Sequence, residues 1–181
     1  MTKSSFWRDA SQGGAGLGLA GVIFSLAGML WSTGGFIFNL ANFVVTIYLL
    51  FYYTRRRSML YSAEEGFSYT QSLGFIAAMG IFAGIIAGAY QVVASNFLFT
   101  EMFEQTVATS LETLKQTGIY NNEMMDQMSG LMRSYIFSPI PVLISNVVGN
   151  VLIFGFYGLF ISIGTKREID IFSTDDQEDE E

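Results

Sequence analysis

The sequence predicts an all-α, polytopic membrane protein with four transmembrane helices and an outer helical hairpin between the third and fourth helices. Charged residues make up only 14% of the 181 residues, whereas about a quarter is usual in soluble domains. The mean hydropathy is +0.40. All the charged residues lie outside three windows, at residues 10–54, 66–100 and 134–165. This segregation of charge is typical of a chain that crosses a bilayer repeatedly.

The length of each window sets the number of spans that it can contain. About 20 apolar residues cross a hydrocarbon core of about 30 Å, so the first window, of 45 residues, has room for two helices. The paired glycines of Thr33-Gly34-Gly35 permit a tight turn between them. Pro139 and Pro141 come at the start of the last helix, where a missing N–H costs least. The four predicted spans are residues 14–32, 36–53, 71–99 and 141–164.

The basic residues predict that both termini face the cytoplasm. With four spans, the N-terminal segment 1–13, the second loop and the acidic, disordered tail 168–181 share one side of the membrane. That side carries Lys3, Arg8, Arg55, Arg56, Arg57, Lys166 and Arg167. The opposite side carries Lys115 and Arg133. An excess of Lys and Arg marks the cytoplasmic side.

The outer segment, residues 100–135, predicts a helical hairpin interrupted at Gly118. Apolar residues recur at helical spacing on both sides of this glycine. Its methionines either pack against the partner helix and the lipid interface or form an adaptable binding surface. They are Met102, Met124, Met125, Met128 and Met132.

Glycines spaced four residues apart predict faces for close helix packing. They are Gly80, Gly84 and Gly88 on the third span, and Gly14 and Gly18 on the first. In lipid, helix association depends on such close contact rather than on hydrophobic burial. These faces pack either within the monomer or against a second copy or another membrane protein, and the sequence leaves both arrangements open.

A polar cluster is predicted inside the membrane. Asn39, Asn42 and Thr46 share one face of the second span, and Asn146 and Asn150 are one turn apart on the fourth. An amide facing lipid would be unpaired, so we expect these side chains to point into the bundle. They either bond across helices or line a neutral polar pathway or headgroup pocket.

Several kinds of chemistry are disfavoured. The chain has no Cys and no His, which excludes disulfides, thiolate chemistry and His-ligated or Cys-ligated metals. No charged residue lies within a span, although proton-coupled transport and ion selectivity normally need one. Glu101, Glu104 and Glu112 could act as paired carboxylates or bind a divalent ion, but a solvated helix face explains them equally well. We therefore predict no enzyme, no catalytic residue, no metal, no cofactor and no nucleic-acid partner.

The triplet Arg55-Arg56-Arg57 is more than orientation requires. A basic cluster beside a span attracts anionic lipid headgroups with about 1 kcal/mol per residue. The triplet therefore predicts a cytoplasmic anchor for the second span, with headgroup contact as a further role.

The order of these parts resembles the bacterial membrane-protein family called domain of unknown function 4199, common in Bacteroidota. The resemblance covers residues 14–167, and its most distinctive part is the stretch Gly66-Phe-Ser-Tyr-Thr-Gln-Ser-Leu-Gly74. Glu101, Ser138-Pro139 and Lys166-Arg167 follow in the same order. The resemblance implies an inner-membrane protein with no established activity, whose genes lie beside those of a membrane glycosyltransferase.

These observations predict a non-enzymatic protein of the bacterial inner membrane that acts as an accessory or scaffold subunit. Its partner would be another membrane protein, such as the glycosyltransferase, or a second copy of the chain. The alternative is a small transporter or channel for a neutral or lipid-like substrate, lined by the asparagines of the polar cluster.

Overall fold

The computed structural model describes residues 3–31, 35–61, 65–116, 118 and 121–167. This part of the chain is all-helical, with one isolated antiparallel bridge between Phe67 and Arg167. A five-residue π-helical stretch, Ala94–Leu98, continues the third helix. The six α-helices are α1 (Lys3–Leu30), α2 (Gly35–Ser58), α3 (Tyr69–Val93), α4 (Thr100–Gln116), α5 (Asn122–Phe137) and α6 (Pro139–Thr165).

Four helices are long and apolar enough to cross a membrane, as a membrane protein requires. They are α1 from Ser5, α2, α3 together with the π-helical stretch, and α6. The sequence placed the start of the first span at Gly14, but α1 is helical from Lys3 because Phe6 and Ala10 pack against the core. Thr33, Gly34 and the predicted tail 168–181 lie outside the described residues.

The start of α3 is fixed by the stretch that carries the family resemblance. Ser68 caps the helix: its hydroxyl accepts a hydrogen bond from the Gln71 N–H, and the Gln71 side chain accepts one from the Ser68 N–H. Such a reciprocal box satisfies two otherwise orphaned donors. Gly66 adopts a positive φ of 61°, and Phe67 exchanges two 2.9 Å backbone hydrogen bonds with Arg167. This stretch therefore ties the beginning of α3 to the end of α6.

Helix α3 lies between α1 and α6 and has a glycine contact on each side. A Cβ on Gly84 would lie 2.5 Å from the Cα of Val147 in α6. On the opposite side, a Cβ on Gly14 of α1 would lie 2.5 Å from the carbonyl oxygen of Met79. Both glycine faces are therefore occupied within the chain.

Helix α2 lies at the side of this three-helix arrangement. Its buried residues are confined to its last turns, beginning with Leu50, whereas Phe36, Ile37, Leu40 and Val44 are exposed. The first half of α2 has no buried residue, so it packs less closely than the second half, and it borders a cleft.

Helices α4 and α5 form the predicted hairpin, with Gly118 at a positive φ of 67° in the connection. The side chain of Asn121 caps α5, whose first residue is Asn122. Arg133 of α5 forms an ion pair of 2.8 Å with Glu104 of α4. The Asn96 amide donates to the Phe137 carbonyl at 3.1 Å, which joins the π-helical stretch to the end of α5.

We predict that Gly84→Ala lowers the stability of the protein by about 1–3 kcal/mol. Its Cβ would approach the backbone of α6, which cannot rotate away, so α3 and α6 must separate. The measurement is unfolding in mixed detergent micelles, followed by circular dichroism. Gly74→Ala is the matched control, because a Cβ at this position of the same helix meets nothing within 4 Å. Equal stability of the two variants would show that the α3–α6 contact is not tight.

Candidate functional site: an intramembrane polar cleft

Several polar side chains of the spans line a cleft between α2 and the other three spans. The cleft consists of two adjoining cavities, of about 250 Å³ and about 380 Å³, which share four lining residues. These are Gly21 of α1, Asn42 of α2, Ala87 of α3 and Asn150 of α6. Each span therefore contributes one residue to the junction of the two cavities.

All five residues of the predicted polar cluster line this cleft. Asn39 and Thr46 border the smaller cavity and Asn146 the larger one, while Asn42 and Asn150 border both. Asn39 is exposed, so the expectation that its side chain points into the bundle is wrong. The amides of α2 and α6 are thus brought to one place although more than a hundred residues separate them in sequence.

The amides of α6 are paired with neighbours on α3 and α6. Asn146 donates to the Gln91 side-chain oxygen at 2.8 Å and to the Val142 carbonyl at 2.9 Å. Asn150 donates to the Asn146 carbonyl at 2.9 Å. These bonds fix the orientation of one wall of the cleft.

The amide of α2 is not fully paired. The Oδ1 atom of Asn42 is buried and has no hydrogen-bond partner among the described residues. A buried acceptor without a donor costs about 1–3 kcal/mol, and the hydrocarbon around the bundle offers no water to replace it. The cleft therefore contains an acceptor that a bound molecule can satisfy.

Sequence reasoning missed Gln91, which binds Asn146 and lines the larger cavity together with Tyr90. A glutamine inside a span costs as much as an asparagine when it faces lipid. The same cost, considered for residues 71–99, also predicts that Gln91 points into the bundle.

The lining of the cleft is uncharged in the part of the chain that the structure describes. Its polar groups are amides and hydroxyls, which donate and accept hydrogen bonds. Apolar side chains, among them Phe43, Ile153 and Phe154, complete the smaller cavity. This lining suits a neutral molecule with a polar group and an apolar body.

The acidic residues considered as a carboxylate site do not form one among the residues described. Glu104 pairs with Arg133 of α5. No group of three acidic side chains in the described ranges could hold a metal ion. Glu101 lines a surface depression on α4 beside Gln105.

The arginine triplet divides into one buried and two exposed side chains. Arg57 is 3% exposed and its guanidinium forms an ion pair with Asp9 of α1. Arg55 and Arg56 are exposed. Helical residues differ by about 100° in direction, so three consecutive arginines cannot share one face. Headgroup contact, the further role predicted for the triplet, therefore stays a prediction for Arg55 and Arg56 and does not fit the buried Arg57.

The face formed by Gly80, Gly84 and Gly88 adopts one of the two arrangements that the sequence left open. It packs on Leu143, Val147 and Val151 of α6, within the same chain. The face that contained the candidate partner contact is therefore closed to a membrane partner in this fold.

We predict different effects on stability for two leucine substitutions in the cleft. Asn42→Leu removes an unsatisfied carbonyl and should leave the free energy of unfolding unchanged or raise it by about 1–3 kcal/mol. Asn146→Leu removes the donor to Gln91 and should lower it by about 1 kcal/mol. Detergent unfolding of both variants tests this, and a loss of stability in Asn42→Leu would mean that its amide is paired in the folded protein.

A comparison with protein families agrees with the resemblance drawn from the sequence. The family model described as "Protein of unknown function (DUF4199)" matches residues 13–167. Neither the curated proteins nor the solved structures contain a significant match to this chain. The matched range begins within α1 and runs through all four spans to the Phe67–Arg167 bridge. The chain therefore belongs to the DUF4199 family, whose function is unknown.

Proposed function

We propose that this protein binds a neutral, lipid-like molecule in the cleft between α2 and the other spans, and that it carries or transports this molecule without catalysing a reaction. The observation that supports the proposal is the unpaired Asn42 acceptor in a cleft lined by uncharged amides. A molecule with a hydroxyl or amide donor would satisfy this acceptor.

The size and position of the cleft support a small amphiphile. The two cavities adjoin, and ligand pockets commonly enclose about 300–1,000 Å³. The first half of α2 has no buried residue and borders the cleft, so small movements of this helix would open it towards the lipid. We therefore expect α2 to be the element that moves when the molecule enters.

The proposal includes a location in the bacterial inner membrane with both termini in the cytoplasm. Basic residues at the start of α1, at the end of α2 and after α6 support this location, because contacts bring them to one end of the bundle. Arg57 pairs with Asp9 beside Arg8, and Arg167 forms a bridge with Phe67. An excess of basic residues marks the cytoplasmic side.

Because the chain has no cysteine, single cysteines can report this orientation. We expect Lys115→Cys to react with a membrane-impermeant maleimide in intact spheroplasts. Arg55→Cys should react only after the membrane is permeabilised. The reverse pattern would contradict the proposed orientation.

The binding proposal predicts that a small molecule remains with the protein purified in neutral detergent, and that filling the cleft releases it. Gly21→Leu is the filling variant, because Gly21 borders both cavities and a Cβ there meets nothing within 4 Å. Native mass spectrometry of the unmodified protein and of Gly21→Leu measures the fraction of each protein that carries the bound molecule. Asn42→Leu should weaken binding by about five- to ten-fold, as expected for one lost hydrogen bond.

Gly149→Leu is the matched control. A Cβ on Gly149 also meets nothing within 4 Å, but this glycine is not among the residues lining the cleft. Retention of the molecule by Gly149→Leu and its loss from Gly21→Leu would support the cleft as the site. Equal retention by both variants, or no bound molecule in the unmodified protein, would refute it.

The role of an accessory subunit, the first prediction from the sequence, is kept as a second proposal, supported by the exposed apolar residues of the α4–α5 hairpin. Met124, Leu131 and Tyr135 are exposed on helices that are not spans. The expected partner is a membrane protein such as the glycosyltransferase that the family resemblance implies. Native mass spectrometry of the same preparations tests this role. A second protein should co-purify with the chain. A chain that purifies alone would exclude a stable complex.

A further inference from the structure

A separate cavity lies at the end of the bundle where the beginning of α1 meets the end of α2. Its volume is about 340 Å³, and none of its lining residues borders the intramembrane cleft. Arg8 and Gln12 line it from α1, and Arg56 and Arg57 line it from α2. We call it the arginine pocket.

The buried guanidinium of Arg57 forms a rigid part of this pocket. Its Nη1 atom donates to Asp9 and, at 3.5 Å, to the Ser5 carbonyl. The guanidinium carbon lies 5.1 Å from the ring centre of Phe6 and 5.3 Å from that of Phe75. Stacking of this kind holds an arginine in a fixed geometry.

The pocket has an excess of positive charge. Asp9 is the one acidic residue among the described residues that line the pocket, and it is already paired with Arg57. Arg8 and Arg56 are exposed, and in the described ranges neither forms an ion pair. Two guanidinium groups therefore remain for an anion, and the Gln12 amide adds a neutral donor.

We propose that the arginine pocket binds a phosphate-bearing molecule, with Arg8 and Arg56 as the groups that contact the phosphate oxygens. Guanidinium groups bind phosphate through paired N–H donors, which gives short, charge-assisted hydrogen bonds. Tyr53, Leu60 and Phe75 give the pocket an apolar part. This part would contact the glycerol or the first methylenes of a phospholipid, or the organic part of a soluble phosphate ester.

The site is independent of the proposed function. A neutral molecule in the cleft requires no arginine, and a phosphate in the arginine pocket requires none of the cleft asparagines. Failure of one proposal therefore leaves the other unchanged.

The test compares two variants of the full chain in neutral detergent, with phosphatidylglycerol as the probe and diacylglycerol, which has no phosphate and should not bind the pocket, as its counterpart. Arg8→Gln combined with Arg56→Gln should weaken phosphatidylglycerol binding by about 25-fold, since each lost hydrogen bond to the bound phosphate costs about five-fold. Arg55→Gln is the matched control: it removes the same charge from the same triplet, but Arg55 is not among the residues lining the pocket. This control should lose less than about two-fold, because a side chain that does not line the pocket would make no hydrogen bond to the bound phosphate.

Competition by soluble glycerophosphate distinguishes the two sources of phosphate. If it displaces phosphatidylglycerol from the unmodified protein, the pocket recognises the phosphate ester itself, whereas failure to compete identifies a lipid headgroup. Both results support the site, provided that the double variant loses binding. Equal losses in Arg55→Gln and the double variant would overturn it in favour of a diffuse surface charge, as would unchanged binding in the double variant. Circular dichroism of both variants checks that they are folded.

Discussion

The fold depends on the close approach of α3 to two neighbouring helix backbones. In lipid there is little hydrophobic drive between helices, so association relies on van der Waals contact and interhelical hydrogen bonds. Gly84 of α3 allows the backbone of α6 to approach closely at Val147, and Gly14 of α1 allows α1 to approach Met79 of α3. Because both faces of α3 are filled in this way, α2 has no place in the centre of the bundle. The lateral position of α2, and the cleft beside it, follow from this constraint.

The two ends of α2 have different physical environments. Near its end, Arg57 is buried against aromatic rings and paired with Asp9, which fastens α2 to α1. In its first half, Asn42 has a buried oxygen without a donor, in a region where α2 packs poorly. A helix fastened at one end and loosely packed at the other is suited to hinge-like movement. Both proposed binding sites border α2. The cleft lies beside its loosely packed first half, and the arginine pocket lies beside its packed C-terminal end.

Part of the candidate site could be predicted from the sequence, because polar residues in an apolar span are costly and must face inward. The cost of an unpaired amide in lipid predicts inward positions for Asn42 and Asn150, and also for Gln91 on the third span. The same cost does not determine which amides pair with each other. Asn146 pairs with Gln91 on α3 rather than with α2, because the glycines of α3 bring α6 closest to that helix. The unpaired Asn42 is a result of that choice.

The sequence by itself determined the helical class, the number of spans and the helix faces that need close or polar neighbours, because hydropathy, glycine spacing and charge are local properties of the chain. Only the tertiary structure decided which neighbour each face meets. The glycines of α3 meet α6 in the same chain, and Arg57 turns inward to Asp9 while Arg56 stays exposed. These outcomes depend on the relative rotation and distance of whole helices. That geometry is set by all the interhelical contacts together, so no single segment encodes it.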